Sequence, residues 1–341
     1  MVAIRFCDIH AYVKNLLKKL GMNLENASVM ADIFTEVTKR GVGHHDLYNF
    51  PSRIALLKQG ALKPNPQFSM QSSYGAMESW DGDCGPGELI NTFSMRRAID
   101  LASRYGIGLC TMKNTSHYLC SMPYVLDAAK NGYVGFIIAK GPPTMGLPNV
   151  EGNLVSQSPI GYAFPVGDYA PVMLDTCLAY AAGENLMQKA QRRVSVPQWW
   201  GRNAEGKATE DPQEILEGVK YPIGWHKGFG LAILCELLTG VLSQGCILDD
   251  TGVLQQTSMS HTAIAIKTDA LMTQSEYALR SRELVDRIRA RAHRVHVPGD
   301  DSWRNIKAFN QRGYIDLEDN LVDKLNEYAL EIGVKPLKAI T

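Results

Sequence analysis

Tyr221 to Gly245 reads YPIGWHKGFGLAILCELLTGVLSQG. It opens as a loop holding Gly224, Gly228 and Gly230, with His226 and Lys227 between the first two. From Phe229 to Leu242 only Glu236 and Thr239 are strongly polar, and a helix apolar on nearly every side is a buried one. At about 1.5 Å per residue it spans roughly 20 Å, enough to cross a domain. The stretch therefore predicts a central core helix. Glycines at a helix N-terminus also let an anion reach free N–H groups at the positive end of the dipole. Lys227 adds a full charge there. Two readings stay open from these residues: a bound phosphate or carboxylate, or a tight turn feeding the helix with Lys227 in solvent.

The rest of the chain suits such a core. Its 341 residues favour two domains, and 45% hydrophobic with 21% charged residues is ordinary for a globular protein. Thirty-five basic residues balance thirty-five acidic ones, so neither nucleic acid nor a membrane surface is expected as partner. No apolar run approaches the roughly 20 residues that span a bilayer, and the N-terminus lacks the order of a signal peptide. Seven cysteines form no C-x-x-C pair, and Cys110, Cys177 and Cys235 sit in apolar runs. This points to free thiols in a reducing cytoplasm.

Upstream of the central stretch, helices are expected from Asp8 to Leu20, from Asn23 to Gly41 and from Ser52 to Lys58. Between the last two lies the polar loop GVGHHDLYNF. From Tyr74 strands and helices alternate. Trp80 to Gly87 is a glycine-rich turn, Leu89 to Arg104 a helix and Ile107 to Met112 a strand. Met122 to Ala129 is a helix and Tyr133 to Lys140 a buried strand. Residues 141 to 160 and 198 to 220 read as loop. Tyr162 to Val166 and Val172 to Leu178 are strands, and Asp175 lies inside the second. Downstream come a strand at Thr262 to Lys267 and helices at Gln274 to Arg291 and Leu321 to Ile332. The class is α/β with an α-helical N-terminal part. Residues 1–70 form the helical segment, packed with 300–341, and 71–299 form a central α/β domain.

Eight histidines are the first candidates for proton transfer. His10 and His261 lie in periodic segments and read as structural. His293 and His296 lack further ligands for a metal, and no metal is expected. His44, His45, His117 and His226 lie in loops at the ends of elements, where catalytic groups concentrate. Taken singly, each of them reads first as a solvated loop histidine. Asp175 in an apolar strand requires a partner, which suggests an acceptor for a ribose hydroxyl or a histidine, or a structural anchor. No strand is followed by G-x-G-x-x-G, so an ordinary dinucleotide fold is unsupported.

Six segments together resemble the type-2 malate/L-lactate dehydrogenase family, which includes 2,3-diketo-L-gulonate reductase, ureidoglycolate dehydrogenase and L-sulfolactate dehydrogenase. They are Arg40-Gly41-Val42 with His45 and Pro51, Asn114 to His117, Asp175-Thr176, Asn203 to Pro212, Tyr221 to Gly230, and Val297-Pro298-Gly299. The resemblance implies a non-Rossmann mixed-sheet core, a homodimer, and NAD or NADP as cofactor. It implies hydride transfer between a nicotinamide and a small 2-keto or 2-hydroxy acid. His45 is then the proton donor in reduction, with His117 in the same pocket. Met173, Leu174, Asp175, Thr176 and Cys177 border the cofactor. His226, Lys227 and Gly228 contact its phosphates or ribose, and Gly299, Asp300 and Asp301 close over it. His44, Asn49, Arg53, Ser116 and Ser158 fall to the substrate.

The departures cluster at the substrate. The family's Ser-His-Gly-x-x-Arg is here His44-His45-Asp46-Leu47-Tyr48-Asn49, so Asn49 stands where an arginine grips the substrate carboxylate. Arg53, four residues on, is a candidate replacement. The family's Gly-Thr-Asn-Pro is Ser156-Gln157-Ser158-Pro159, and Ala179 replaces a serine. An unusual substrate is implied, with a cyclic-imine carboxylate as the main rival to a 2-keto acid. Two other classes compete: a nucleotide-binding member without turnover, and a metal-dependent lyase or hydrolase using the histidines and Asp46.

Overall fold

The computed structural model describes residues 1–43, 45–248 and 257–340; the expectation for His44 falls outside them. In chain order the first elements are β1 (Val2–Arg5), α1 (Phe6–Lys19), α2 (Leu24–Lys39) and α3 (Phe50–Lys58). Next come β2 (Ser69–Tyr74), β3 (Met77–Gly85), α4 (Gly87–Tyr105), β4 (Ile107–Thr115), α5 (Met122–Lys130) and β5 (Tyr133–Lys140). They are followed by β6 (Pro143–Met145), β7 (Val155–Ser156), β8 (Ile160–Val166), β9 (Tyr169–Thr176) and α6 (Gly183–Gln191). Then come β10 (Gly201–Arg202), α7 (Pro212–Glu217), β11 (Val219–Lys220), α8 (His226–Glu236) and β12 (Met259–Lys267). The chain closes with α9 (Gln274–Arg291), α10 (Asp300–Arg312), β13 (Tyr314–Leu317) and α11 (Asp319–Ile332).

Seven strands form one sheet in the order β2-β3-β4-β12-β5-β8-β9. Only β3 and β4 run parallel; the other neighbours are antiparallel. The mixed α/β class expected from the sequence is thus observed, and the missing G-x-G-x-x-G has its reason in a sheet that is not doubly wound. α4 and α5 cover one face. Gly108 and Gly135 let them approach: a Cβ on Gly108 would lie 2.1 Å from Ala98 O, and one on Gly135 2.6 Å from Ala128 Cβ. Strand alternation divides the sheet's apolar residues. Ile137 and Ala263 join the core with the N-terminal helices, whereas Ile138 and Ile264 join Ala232 and Cys235 of α8 on the other face.

The chain ends meet. β1 pairs antiparallel with β13, and Leu321, Leu325 and Ala329 of α11 enter the core that holds Ile9, Val13 and Leu16 of α1. Asn23 caps α2 by accepting from the backbone N–H of Asn26, as its position before an apolar stripe predicts.

Several expectations need correction. The central helix is α8 plus a π-turn at Leu237–Val241, and it is not buried all round. Leu231, Ile233, Leu234, Leu237 and Val241 are 43–51% exposed, because only the face carrying Ala232 and Cys235 packs on the sheet. Trp80 to Gly87 is not a free turn. Met77–Gly85 is a strand whose left-handed Asp83 and Cys84 lie in a register shift. The loops at 141–160 and 198–220 contain β6, β7, β10 and β11, which make a small four-stranded sheet. The helices α6 and α10 were not anticipated. α6 buries only Leu186, and α10 packs a narrow stripe, Trp303 and Phe309, against the core without burying any residue fully. The cysteines are free, as expected.

Candidate active site

A cavity of about 600 Å³ lies where the loop after α2, the ends of β4, β5 and β9, and the turn before α10 converge. That volume is ordinary for a small-molecule site. The loop is built first by Asp46. Its buried carboxylate accepts from the backbone N–H groups of Gly43 and Tyr48, closing a turn around His45. Desolvation raises Asp46, and the backbone hydrogen bonds oppose it. With both oxygens so engaged, Asp46 is a structural anchor. Among the described residues no His, Cys, Asp and Glu cluster suits a metal.

The same loop is tied to the C-terminal part. Asn305 Nδ2 donates to Arg40 O at 3.0 Å, and Arg40 Nη1 donates to Ser302 Oγ at 3.1 Å. Gly41 has φ +68°, and a Cβ there would meet Asn305 Nδ2 at 2.9 Å. Only glycine fits this crossing.

His45 and His117 both line the cavity, their rings edge to face with centroids 5.1 Å apart. His117 Nδ1 lies 3.0 Å from Arg53 Nη2 and 3.3 Å from the backbone N–H of Leu119. Both neighbours can only donate, so Nδ1 accepts and Nε2 carries the ring proton. Arg53 Nη2 also donates to His117 O at 2.7 Å, and its Nε donates to Glu88 at 2.8 Å. Arg53 and Glu88 are 2% and 0% exposed in their side chains.

Met173, Leu174, Asp175, Thr176 and Cys177 form one wall. Asp175 accepts from the backbone N–H of Ser121 at 3.1 Å, and burial pushes its carboxyl up to about 6. Gly299, Asp300 and Asp301 also line the cavity, beside that wall. Their turn is fixed to β9 by Met173 N–H donating to Pro298 O at 3.1 Å. Gly299 has φ +102° and would place a Cβ 2.9 Å from Met173 Cγ. Asp300 accepts from Val297 N–H and pairs with Arg289; Asp301 pairs with Arg304.

Seven residues expected at the site lie outside this lining. Arg53 stands behind His117. Ser116 Oγ is spent on Gly85 O and Gly87 N–H. Ser158 is fully buried and donates to Ser156 O. Asn49 precedes α3 as its N-cap. His226 and Lys227 are exposed in the first turn of α8, and Gly228 is a packing position where a Cβ would lie 2.5 Å from Ile223 O.

The lining residues missed as site residues include His261, Thr144, Lys140 and Lys220. His261, read as structural, is fully buried in the lining, and burial pushes it down to about 3. Its Nδ1 lies 2.8 Å from Asn91 Nδ2, which leaves the proton on Nε2. That Nε2 and Thr144 Oγ1 are buried at the cavity without a protein hydrogen-bond partner among the described residues. Lys140 and Lys220 also line it. The lysine closing the apolar run YVGFIIAK was a legible signal for Lys140; Lys220, in a segment read as loop, gave none.

A family model for malate/L-lactate dehydrogenases matches residues 4–326. The chain belongs to the malate/L-lactate dehydrogenase family. It is an oxidoreductase acting on CH–OH groups, as the names of its relatives indicate. L-sulfolactate dehydrogenase of Methanocaldococcus jannaschii is 28% identical over 327 residues, covering 94% of each chain. 2,3-Diketo-L-gulonate reductase of Klebsiella pneumoniae is 28% identical over 332 residues, covering 94% of this chain and 98% of that one. The solved sulfolactate dehydrogenase structure from M. jannaschii superposes with a TM-score of 0.89 at 25% identity, covering 98% of both chains. No helix among the described residues is long and apolar enough to cross a membrane.

Proposed function

We propose that this family member is an NAD(P)-dependent reductase of a small 2-keto acid, running in reverse on the 2-hydroxy acid. The observation that carries the reading is the His45–His117 pair, with ring centroids 5.1 Å apart, in one cavity with the Met173–Cys177 wall and the Gly299–Asp301 turn.

The lining fits a nicotinamide cofactor. Leu119, Met122, Met173 and Val297 supply apolar surface for a ring, and Thr144 Oγ1 and His261 Nε2 supply buried groups that lack protein partners among the described residues. Met173 to Cys177 and Pro298 to Asp301 would hold it. When bound, the cofactor supplies or accepts the hydride. His45 gives the proton to the carbonyl oxygen in reduction and takes it back in oxidation. His117, its ring fixed by Arg53, donates a hydrogen bond from Nε2 to the same oxygen or to His45. The buried walls exclude water from the exchange.

A homodimer is part of the reading. Leu231, Leu234, Leu237 and Val241 form an exposed apolar stripe at helical spacing, and a second copy would cover it. A cytoplasmic location is supported by seven free cysteines, as a reducing compartment keeps them.

The test is titration of the purified protein with NADH and NADPH, followed by fluorescence. Turnover of 2-keto acids and of piperideine-2-carboxylate is then compared, with His45→Ala as control. Saturable binding of one cofactor and turnover lost in His45→Ala are expected. Absence of binding by both cofactors would overturn the reading, and preference for the imine would change the substrate class.

A further inference from the structure

The three lysine and arginine side chains lining the cavity are not equivalent. Arg40 pairs with Glu36 and stacks on Trp303 at 4.6 Å. Lys140 donates to Glu236 at 3.2 Å and to Leu248 O at 3.0 Å. Lys220 is 7% exposed, and its Nζ donates to Gln157 Oε1 at 3.1 Å. No ion pair joins Lys220 to a carboxylate among the described residues, although a buried cation normally has one. Burial pushes Lys220 down to about 8, so it still carries its charge at neutral pH.

One neighbour of Lys220 is the N-terminal end of α6, whose first turn also carries Glu184. A Cβ on Gly183 would lie 3.5 Å from Lys220 Nζ, and Gly183 opens α6. The N-cap of α6 is Ala182, which lines the cavity and cannot cap with a side chain. A desolvated ammonium thus faces the positive end of a helix dipole. Neither stabilises the other; an anion lying in the cavity beside both stabilises both. Gln157, with its oxygen turned to Lys220, keeps its NH₂ as a donor, and the ammonium has two more.

We propose that Lys220, with Gln157 and the first amides of α6, anchors the carboxylate of the substrate and replaces the arginine that Asn49 displaces. The proposal rests on the reductase reading above. It accounts for the changed Ser156-Gln157-Ser158-Pro159 run, because Gln157 holds the lysine in place. It also accounts for a buried lysine that opposes folding.

The experiment compares wild type with Lys220→Met as full-length protein. The KM for the 2-keto acid is expected to rise about 10- to 100-fold, the loss of a hydrogen bond to a charged group. The KM for NADH or NADPH stays within about twofold of wild type by the same reasoning, since the lost contact is to the substrate. Wild type prefers a 2-keto acid over its neutral amide, and Lys220→Met loses that preference. The variant's Tm is unchanged or higher, because an unpaired buried cation has been removed. A raised cofactor KM with an unchanged keto-acid KM would assign Lys220 to a cofactor phosphate and overturn the proposal. A lowered Tm with both KM values unchanged would make it structural and also overturn it. A second measurement needs no turnover: acetylation of Lys220 read by mass spectrometry, with oxamate as probe. Protection by oxamate and not by inorganic phosphate is expected. Protection without turnover of any keto acid would sustain the anchor and remove the reductase reading. Turnover without protection would do the reverse.

Discussion

Arg53 Nη2 sits 3.0 Å from Nδ1 and 2.7 Å from the carbonyl oxygen of His117, while Arg53 Nε is held by Glu88. One guanidinium therefore fixes both the ring and the backbone of a histidine that lines the cavity. The pair with Glu88 is fully buried, so removing one partner leaves an uncompensated charge. Arg53→Met is expected to cost about 3–5 kcal/mol in urea unfolding. In the double variant Arg53→Met, Glu88→Leu most of that loss is recovered, because no lone charge remains. Turnover is not recovered, because His117 is still unheld. Recovery of both together would show that Arg53 acts on stability alone.

The His45 and His117 rings touch, so their contributions to turnover are coupled. His45→Gln is expected to lower kcat about 10²- to 10⁴-fold, the usual worth of a positioned acid–base group. His117→Gln lowers it by less, and the double variant is hardly worse than His45→Gln alone. Single-turnover rates with both variants and the double measure this. Strictly multiplicative losses would mean that the two histidines act independently.

The reach of the sequence differs between the fold and the site. Tyr133–Lys140 and Gln274–Arg291 were legible to the residue, one as a continuous apolar run and the other as a charged amphipathic helix. β10 and β11 were not, because two-residue strands carry no periodicity. α8 was misjudged for a physical reason: apolar residues on all sides fit a helix packed on its own sheet on one face and exposed on the other. At the site, His45 and His117 could be named from loop position and resemblance, because both features are local. Lys220 could not. Its place beside Gln157 and Gly183 is made by β11 joining β6 in a small sheet, a pairing between segments about 75 residues apart that both read as loop. Arg53 was named, but its direction was not: helix α3 turns it toward Glu88 on α4.

Asp175 gives a signed pH dependence. Its carboxyl titrates at about 6 in the fold, against an ordinary value of 3.8. The native state therefore holds this proton more tightly, so stability falls as pH rises from about 4 to about 6. Above that window the full cost of a buried carboxylate is present. Asp175→Asn keeps an oxygen for the Ser121 N–H and removes the charge. It is expected to stabilise the protein at pH 8 by up to about 3 kcal/mol, the equivalent of roughly two pKa units. The gain vanishes near pH 4. Thermal melts at both values check it, and a variant less stable than wild type at pH 8 would contradict the desolvation account. A fall in kcat/KM in the stabilised variant would show why the acid is kept.

The exposed stripe on α8 sets the last expectation. Leu234 and Leu237 are 47% and 51% exposed, one helical turn apart, on the face opposite Ala232 and Cys235. Leaving them half in water forgoes roughly 1 kcal/mol per side chain of burial, which a symmetric partner would recover on both copies. On the proposed homodimer, Leu234→Glu, Leu237→Glu would place four carboxylates at the two-fold contact, and the variant is expected to sediment as a monomer where wild type is expected to sediment as a dimer. The variant's fold is expected to survive, since neither side chain enters the core, and its circular dichroism should match wild type. The first turn of α8 lies against Leu178 O, one residue beyond the cavity wall at Cys177. Losing the partner should therefore weaken cofactor binding even though no lining residue has changed. A wild-type protein that sediments as a monomer would remove the dimer from the functional reading, and a monomeric variant with unaltered cofactor affinity would separate the interface from the site.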